Sequence, residues 1–315
     1  MKKDAKNKIL DISIIIVTYN SNWMELKETI DSVISQEEIT YEIIIADDGS
    51  ENNHKDRIKK YFFDKHVTNY KLVLNKKNNG TVYNLFSGLQ VAQGEYIKDI
   101  SPGDLLVGKN LLHNWIEFLK TNNFEWSFSE AVYYRKKGDK KIFINSEAHP
   151  NDLTPYINRN FKKCRWNYLL LDDIAMGATM LCRTKTEYEY CQKILNKVKY
   201  AEDNMWRIMM FDGIKAGYYP HITVLYEFGD GVSTSGNIEW KRRLDNDWKV
   251  TDEIIINTSV RRLDEFQKKI LKVYSLKNSR ILKYLIHGKI KSILSRKFKC
   301  RKTSTFLPEE KLVCK

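Results

Sequence analysis

The first hundred residues alternate short β-branched apolar runs with stretches of helical spacing. Ile12–Val17 (I-S-I-I-I-V) and Tyr41–Ala46 (Y-E-I-I-I-A) are nearly unbroken apolar runs, as in strands buried on both faces of a parallel sheet. Between them Trp23, Leu26, Ile30, Val33 and Ile34 recur at helical spacing, predicting a helix over Trp23–Ser35. Strand, helix and strand within about 30 residues make a βαβ unit. The rhythm continues with a helix over Asn52–Phe63, a strand over Tyr70–Asn75, a helix over Thr81–Ala92 and a strand opening at Gly94-Glu95-Tyr96-Ile97. This alternation predicts an α/β fold with a doubly wound sheet.

After Asp104 the rhythm changes. The pattern predicts a helix over Leu105–Lys120, then strands over Trp126–Arg135 and Lys141–Asn145 joined by a Lys-Gly-Asp turn. Ser146–Arg165 reads as a polar loop. Ala178–Cys182 reads as a strand, Thr186–Val198 and Glu202–Phe211 as helices, and His221–Tyr226 as a last strand before the loop Gly229–Gly236. From Asn237 onward the pattern is helical, which divides the chain into residues 1–236 and a C-terminal helical extension, 237–315.

Composition narrows the class. Hydrophobic residues at 42% and aromatics at 12% of 315 residues exclude a disordered chain. The five cysteines are scattered and never spaced C-x-x-C, which predicts neither a zinc site nor a disulfide framework, and a reducing, cytoplasmic setting. Asp11 interrupts the apolar residues that follow the N-terminal lysines, so this segment reads as a strand rather than a signal peptide. No run approaches the roughly 18 apolar residues that a spanning helix needs. The charge is segregated: thirteen of the 53 basic residues lie between Lys268 and Lys302, where there is no acid, leaving 40 basic residues against 40 acidic ones elsewhere.

Candidate chemistry gathers where strands end. Asp47-Asp48-Gly49-Ser50 stops the second strand, and ligands of open α/β sheets sit at the carboxyl ends of strands. Asp-Gly also supplies ordinary turn geometry. Asn79-Gly80 precedes the third helix and offers either backbone N–H groups for a phosphate or a simple turn. Ile100-Ser101-Pro102-Gly103-Asp104 closes the fourth strand, and Ala201-Glu202-Asp203-Asn204-Met205-Trp206-Arg207 opens a late helix, where an acid is also good helix chemistry.

In this order, I-S-I-I-I-V-T-Y-N, Y-E-I-I-I-A-D-D-G-S, N-N-G-T-V-Y-N…A-Q-G-E-Y-I, I-S-P-G-D and A-E-D-N-M-W-R resemble the family 2 glycosyltransferases over about residues 12–235. The resemblance implies a GT-A, Rossmann-like fold that binds a nucleotide sugar. It implies inverting transfer of a sugar, usually from a UDP-sugar, to a growing polysaccharide or lipid-linked glycan of bacterial type. It assigns the donor to Thr18, Tyr19, Asn20, Asp48, Asn79, Gly80 and Gly103, and leaves Asp47 as a structural neighbour. It assigns Mg²⁺ or Mn²⁺ to Asp104 and the role of general base to Asp203, with Glu202 in support. The family's usual second acid, two residues before Asp104, is here Pro102. Asp172 and Asp173 are expected to border the acceptor site, and Gly231–Ser235 to close near the diphosphate.

Apolar residues recur with helical spacing through 266–298, with Lys and Arg on the other face. A basic amphipathic helix suits an anionic membrane surface, here the inner face of the membrane, or packs its apolar face on the domain. No nucleic-acid module accompanies the charge, so no nucleic acid is expected. The competing readings are a nucleotidyl- or phospho-sugar transferase, which would want a phosphate loop after the first strand that T-Y-N-S-N lacks, and a basic nucleic-acid-binding protein with a degenerate enzyme core.

Overall fold

The isoleucine runs form the centre of the sheet. β1 (Leu10–Thr18) lies between β2 (Tyr41–Asp47) and β4 (Gly94–Ile100), with β3 (Tyr70–Leu74) outside β2, and all four are parallel. Their side chains alternate between two cores. Ile14, Ile16, Ile43 and Ile45 pack on α1 (Trp23–Ile34), α2 (Lys55–Asp64) and α4 (Leu111–Asn122), whereas Ile15, Ile44 and Ala46 face α3 (Thr81–Leu89). Burial on both faces is what the unbroken apolar runs require. The computed structural model describes residues 10–138, 140–229, 237–258, 263–275 and 301–304.

The second half of the sheet is mixed. β8 (Met180–Arg183) runs antiparallel to β4 and to β6 (Trp126–Lys137). β9 (Ala216–Glu227) runs parallel to β6, and β7 (Lys140–Ile144) forms a hairpin with β6. The expected single helix over Leu105–Lys120 is broken. Leu105–Leu106 is β5, paired antiparallel to Leu225 and Val224 of β9, and Gly108 at φ +89° turns the chain before α4 begins. Sheet pairing has overridden the helical spacing there.

The segment expected as a loop, Ser146–Arg165, contains α5 (Thr154–Ile157) and the start of α6 (Phe161–Leu171). Asn160 caps α6 by accepting from the Lys163 amide at 3.1 Å, and Tyr156, Cys164 and Tyr168 are buried. Tertiary packing supplies the order that the polar sequence conceals. α7 (Thr184–Ile194) and α8 (Asn204–Phe211) cover the same face as α3. Cys164, Cys182 and Cys191 are free and buried.

The C-terminal helices join this core. α9 (Ile238–Thr258) and α10 (Glu265–Ser275) bring Ile254, Ile255 and Leu271 into the cluster that holds α8, joined by Leu263 just before α10. Ile270 packs against it, and Phe266 lies 5.8 Å from Trp166 between ring centroids, so this part of the apolar stripe meets protein. Further on, residues 301–303 bond to Ser146 and Ala148, and Arg301 pairs with Glu130. Residues 276–300 of the basic tail and the Gly231–Ser235 loop lie outside the described residues. Among the described residues, no helix is long and apolar enough to cross a membrane.

Candidate active site

The two aspartates at the end of β2 have different partners. Asp47 accepts from the Thr18 hydroxyl at 2.9 Å and from the amide and hydroxyl of Ser50 at 2.9 and 2.6 Å. It ties the ends of β1 and β2 together. Asp48 reaches the other way and accepts from the amides of Asn79 (2.9 Å) and Gly80 (2.8 Å). Those amides, which the sequence offered to a phosphate, are thus engaged by a carboxylate of the protein. Burial raises the Asp48 pKa, with the two amides opposing and Asp47 adding to the rise.

Local geometry fixes both turns. Gly49 (φ +76°) passes so close to Lys77 that a Cβ would lie 2.5 Å from its backbone, and a Cβ on Gly80 (φ +99°) would meet Lys199 at 2.5 Å. Only glycine takes both the dihedral and the contact without strain. Asn20 (φ 47°) accepts from the Glu51 amide at 3.1 Å and donates its own amide to Ser50 at 2.7 Å, lacing the two strand ends together, and Tyr19 beside it is exposed. Asn84 of α3 is buried and donates to the carbonyls of Ala46 (2.8 Å) and Thr18 (3.3 Å).

The turn after β4 is held by α1 and β6. Thr29 accepts from the Gly103 amide (3.0 Å) and donates to the Asp104 carbonyl (2.9 Å), while the Tyr134 hydroxyl donates to the Gly103 carbonyl. Asp104 is buried, and its pKa is pushed up to about 7 by loss of solvent, against the opposing Glu227 amide bond and the nearby Lys98. That amide bond measures 3.0 Å, and the Glu227 carboxylate also acts on Asp104. Glu227 ends β9 and lies 3.4 Å from Lys136. An acid thus stands beside Asp104 from the far end of the chain, although position 102 is proline.

Asp203 precedes α8, which begins at Asn204 and not at Glu202 as expected, and its side chain makes no capping bond to that helix. The helix-cap explanation for this acid therefore has no bond behind it. Gly177 packs against it, where a Cβ would lie 2.9 Å from that of Asp203. Burial raises the Asp203 pKa, and the Arg207 guanidinium opposes the rise. Glu202 is driven well above the usual carboxylate range by burial, then by Asp203 and Asp99. Asp173, expected at an acceptor border, is buried and accepts from the amides of Asn151 (2.6 Å) and Asp152 (3.0 Å), a structural role. Asp172 acts electrostatically on Asp203.

Several groups at this edge lie outside the sequence motifs. Asp99 acts electrostatically on Asp104 and also on Glu202 and Asp203, so the two acidic sites share its field. Lys98 is fully buried beside it, with its pKa lowered by burial. Glu187 of α7 is buried in the same field, and neither of its side-chain oxygens has a hydrogen-bond partner. The signal for Lys98 and Asp99 was the K-D of β4, a charge pair between the apolar Ile97 and Ile100. Among the described residues, no group of three or more His, Cys, Asp or Glu is arranged to hold a metal ion. One carboxylate with a second beside it does fit Mg²⁺ or Mn²⁺ in sites that substrate phosphates and water complete.

The four-stranded parallel core with its mixed second half, and carboxylates at the carboxyl ends of β2 and β4, defines a GT-A α/β protein. The model of glycosyl transferase family 2 matches residues 13–181, more than half of the chain. The chain belongs to that family. A glycosyltransferase of Rickettsia bellii is 30% identical over 156 residues, 49% of this chain and 21% of that protein. One of Haemophilus influenzae is 26% identical over 238 residues, 71% of this chain and 67% of its own. The chain thus matches about a fifth of the length of the Rickettsia relative. Among solved structures, TarS 1–349 of S. aureus in complex with UDP-GlcNAc superposes with a TM-score of 0.57 at 16% identity, covering 92% of this chain and 76% of that one. The mannosyltransferase PcManGT of Pyrobaculum calidifontis, in complex with GDP-Man and Mn²⁺, gives 0.56 at 14% identity, covering 92% and 75%. These likenesses establish the shared fold.

Proposed function

We propose that this protein is an inverting glycosyltransferase that moves a sugar from a nucleotide diphosphosugar, in first place a UDP-sugar, to a hydroxyl of a growing polysaccharide or lipid-linked glycan. The observation that carries the proposal is that Asp104, bonded to the Glu227 amide at 3.0 Å, and the buried Glu202–Asp203 turn both lie in the field of Asp99 of β4. An inverting transfer needs a charge-compensating group for the leaving diphosphate and a base for the acceptor, on opposite sides of one sugar.

In this reading the nucleoside sits at the ends of β1 and β2, against Thr18, Tyr19, Asn20 and Asp48. Asn79, Gly80 and Gly103 shape the floor. Asp203 takes the proton of the acceptor hydroxyl as its oxygen attacks the anomeric carbon, and the bond to the diphosphate breaks with its electron pair on the leaving oxygen. A carboxylate raised by burial is suited to accept that proton near neutral pH. Glu202 supports it by keeping the turn acidic. Asp104, with Glu227 beside it, would hold Mg²⁺ or Mn²⁺, which when bound neutralises charge on the diphosphate. The donor and catalytic groups belong to residues 1–236, and the helices α9 and α10 belong to the extension 237–315. The protein works at the inner face of a bacterial membrane, reached through the basic tail 266–302, of which Lys269 and Lys272 are exposed on α10.

A melting-temperature screen of UDP-, GDP- and dTDP-sugars, with and without Mn²⁺, tests the proposal. One nucleotide class is expected to raise the melting point, since a ligand present at about 100 times its Kd adds about 2.7 kcal/mol. No response to any of them overturns it.

A further inference from the structure

Helix α9 lies beyond the region that the family model matches, yet it carries two aspartates that are almost fully enclosed. Asp247 is 3% exposed and Asp252 1%. The carboxylate of Asp247 accepts from three consecutive amides, those of Lys199 (3.2 Å), Tyr200 (2.7 Å) and Ala201 (3.1 Å). These residues lead directly into Glu202 and Asp203. One carboxylate meets three successive N–H groups only if they are folded around it, so the bonds fix the course of the chain entering the turn. The Lys199 carbonyl in turn accepts from the Val82 amide at 3.2 Å, in the first turn of α3, two residues beyond the Gly80 amide that Asp48 holds.

Asp252, one turn further along α9, reaches the other flank. It accepts from the Tyr168 hydroxyl at 3.1 Å, which accepts from Arg207 Nη1 at 3.3 Å. Arg207 also lies 5.0 Å from the Trp248 ring of α9 and is the cation that acts on Asp203. One helix therefore holds the chain before Asp203 through Asp247, and the cation behind it through Asp252.

We infer that Asp247 and Asp252 are positioning residues for the Glu202–Asp203 turn, so that α9 is needed for transfer and not for donor capture. The inference rests on reading Asp203 as the base. An α9 that merely braced the fold would affect both ends of the site together.

The test uses the full chain with Asp247→Asn and, separately, Asp252→Asn. Three quantities are read: amide hydrogen exchange at 199–201 and at 79–80, the Kd of UDP-GlcNAc or of whichever nucleotide sugar the melting screen selects, and single-turnover release of its nucleotide. For Asp247→Asn, exchange at 199–201 is expected to quicken about tenfold or more while residues 79–80 stay protected. For both variants, release is expected to slow about 10- to 100-fold with Kd held within about threefold. Asp247→Glu, which keeps the charge, should recover part of the rate. Unchanged exchange at 199–201, or rate and affinity falling together in both variants, overturns the inference. If the wild type releases no nucleotide from any donor, the enzymatic reading fails, while the exchange comparison still decides whether Asp247 holds the turn.

Discussion

At the ends of β1 and β2, Asp47 and Asp48 find their partners among Thr18, Ser50, Asn79 and Gly80, no more than 32 residues away, with glycines at the points of closest approach. The Asp203 turn is assembled differently. Its approach is fixed by Asp247, 46 to 48 residues on, and the cation behind it by Asp252 and Tyr168, 84 residues apart. The donor edge is thus built from local turns at the ends of parallel strands. The turn assigned to the base depends on helices that arrive later in the chain, and a lesion should strike binding at one and transfer at the other.

The largest effect is expected at Asp203. Asp203→Asn removes the proposed proton acceptor and should lower turnover by about 10²–10⁴-fold, read from steady-state nucleotide release at saturating donor. Next, Asp48→Ala leaves the buried amides of Asn79 and Gly80 without an acceptor. It should cost about 3 kcal/mol of stability by urea unfolding and weaken the donor at least tenfold.

Asp104→Asn separates the two regions by sign. Burial favours the protonated form of Asp104, whose pKa is raised to about 7, so its contribution to stability is complete below about pH 4 and is lost as pH rises through about 7. Asn can still accept from the Glu227 amide but cannot ionise. Without divalent metal, the variant should be more stable than wild type at pH 8, by on the order of 4 kcal/mol, with no gain at pH 4. Its transfer activity should nevertheless fall.

Gly80→Ala, at φ +99° and against Lys199, should cost about 2 kcal/mol by thermal unfolding, and it touches both regions because Lys199 leads into the Asp203 turn. Lys60→Ala is the control. Its pair with Asp64 lies on the surface of α2 at 3.1 Å, and its loss should change stability by less than about 0.5 kcal/mol.

The same contrast explains what could be read from the chain alone. β1 and β2 were legible because β-branched runs encode a strand buried on both faces, and the Asp-Gly after β2 and Pro-Gly after β4 mark where those strands end. Asp47 and Asp48 have separate partners, Thr18 and Ser50 for one and the amides of Asn79 and Gly80 for the other, and the sequence shows none of these bonds. Leu105–Leu106 was misread as helix because its strand partners, Leu225 and Val224, lie far along the chain. Glu227 escaped notice for the same reason, since its bond to Asp104 spans 123 residues. Asp247 and Asp252 sit in a helix whose charged sequence resembles a solvated face, and only the fold shows that two of those charges point inward.

The most direct measurement is a calorimetric titration of Asp203→Asn with the nucleotide sugar that stabilises the wild type, made on the sample used for turnover. A Kd within about threefold of wild type, alongside a turnover loss above about 100-fold, is the result predicted for a base that takes part only in the reaction. A donor affinity that weakens in step with turnover would contradict the division between a donor edge and a catalytic turn.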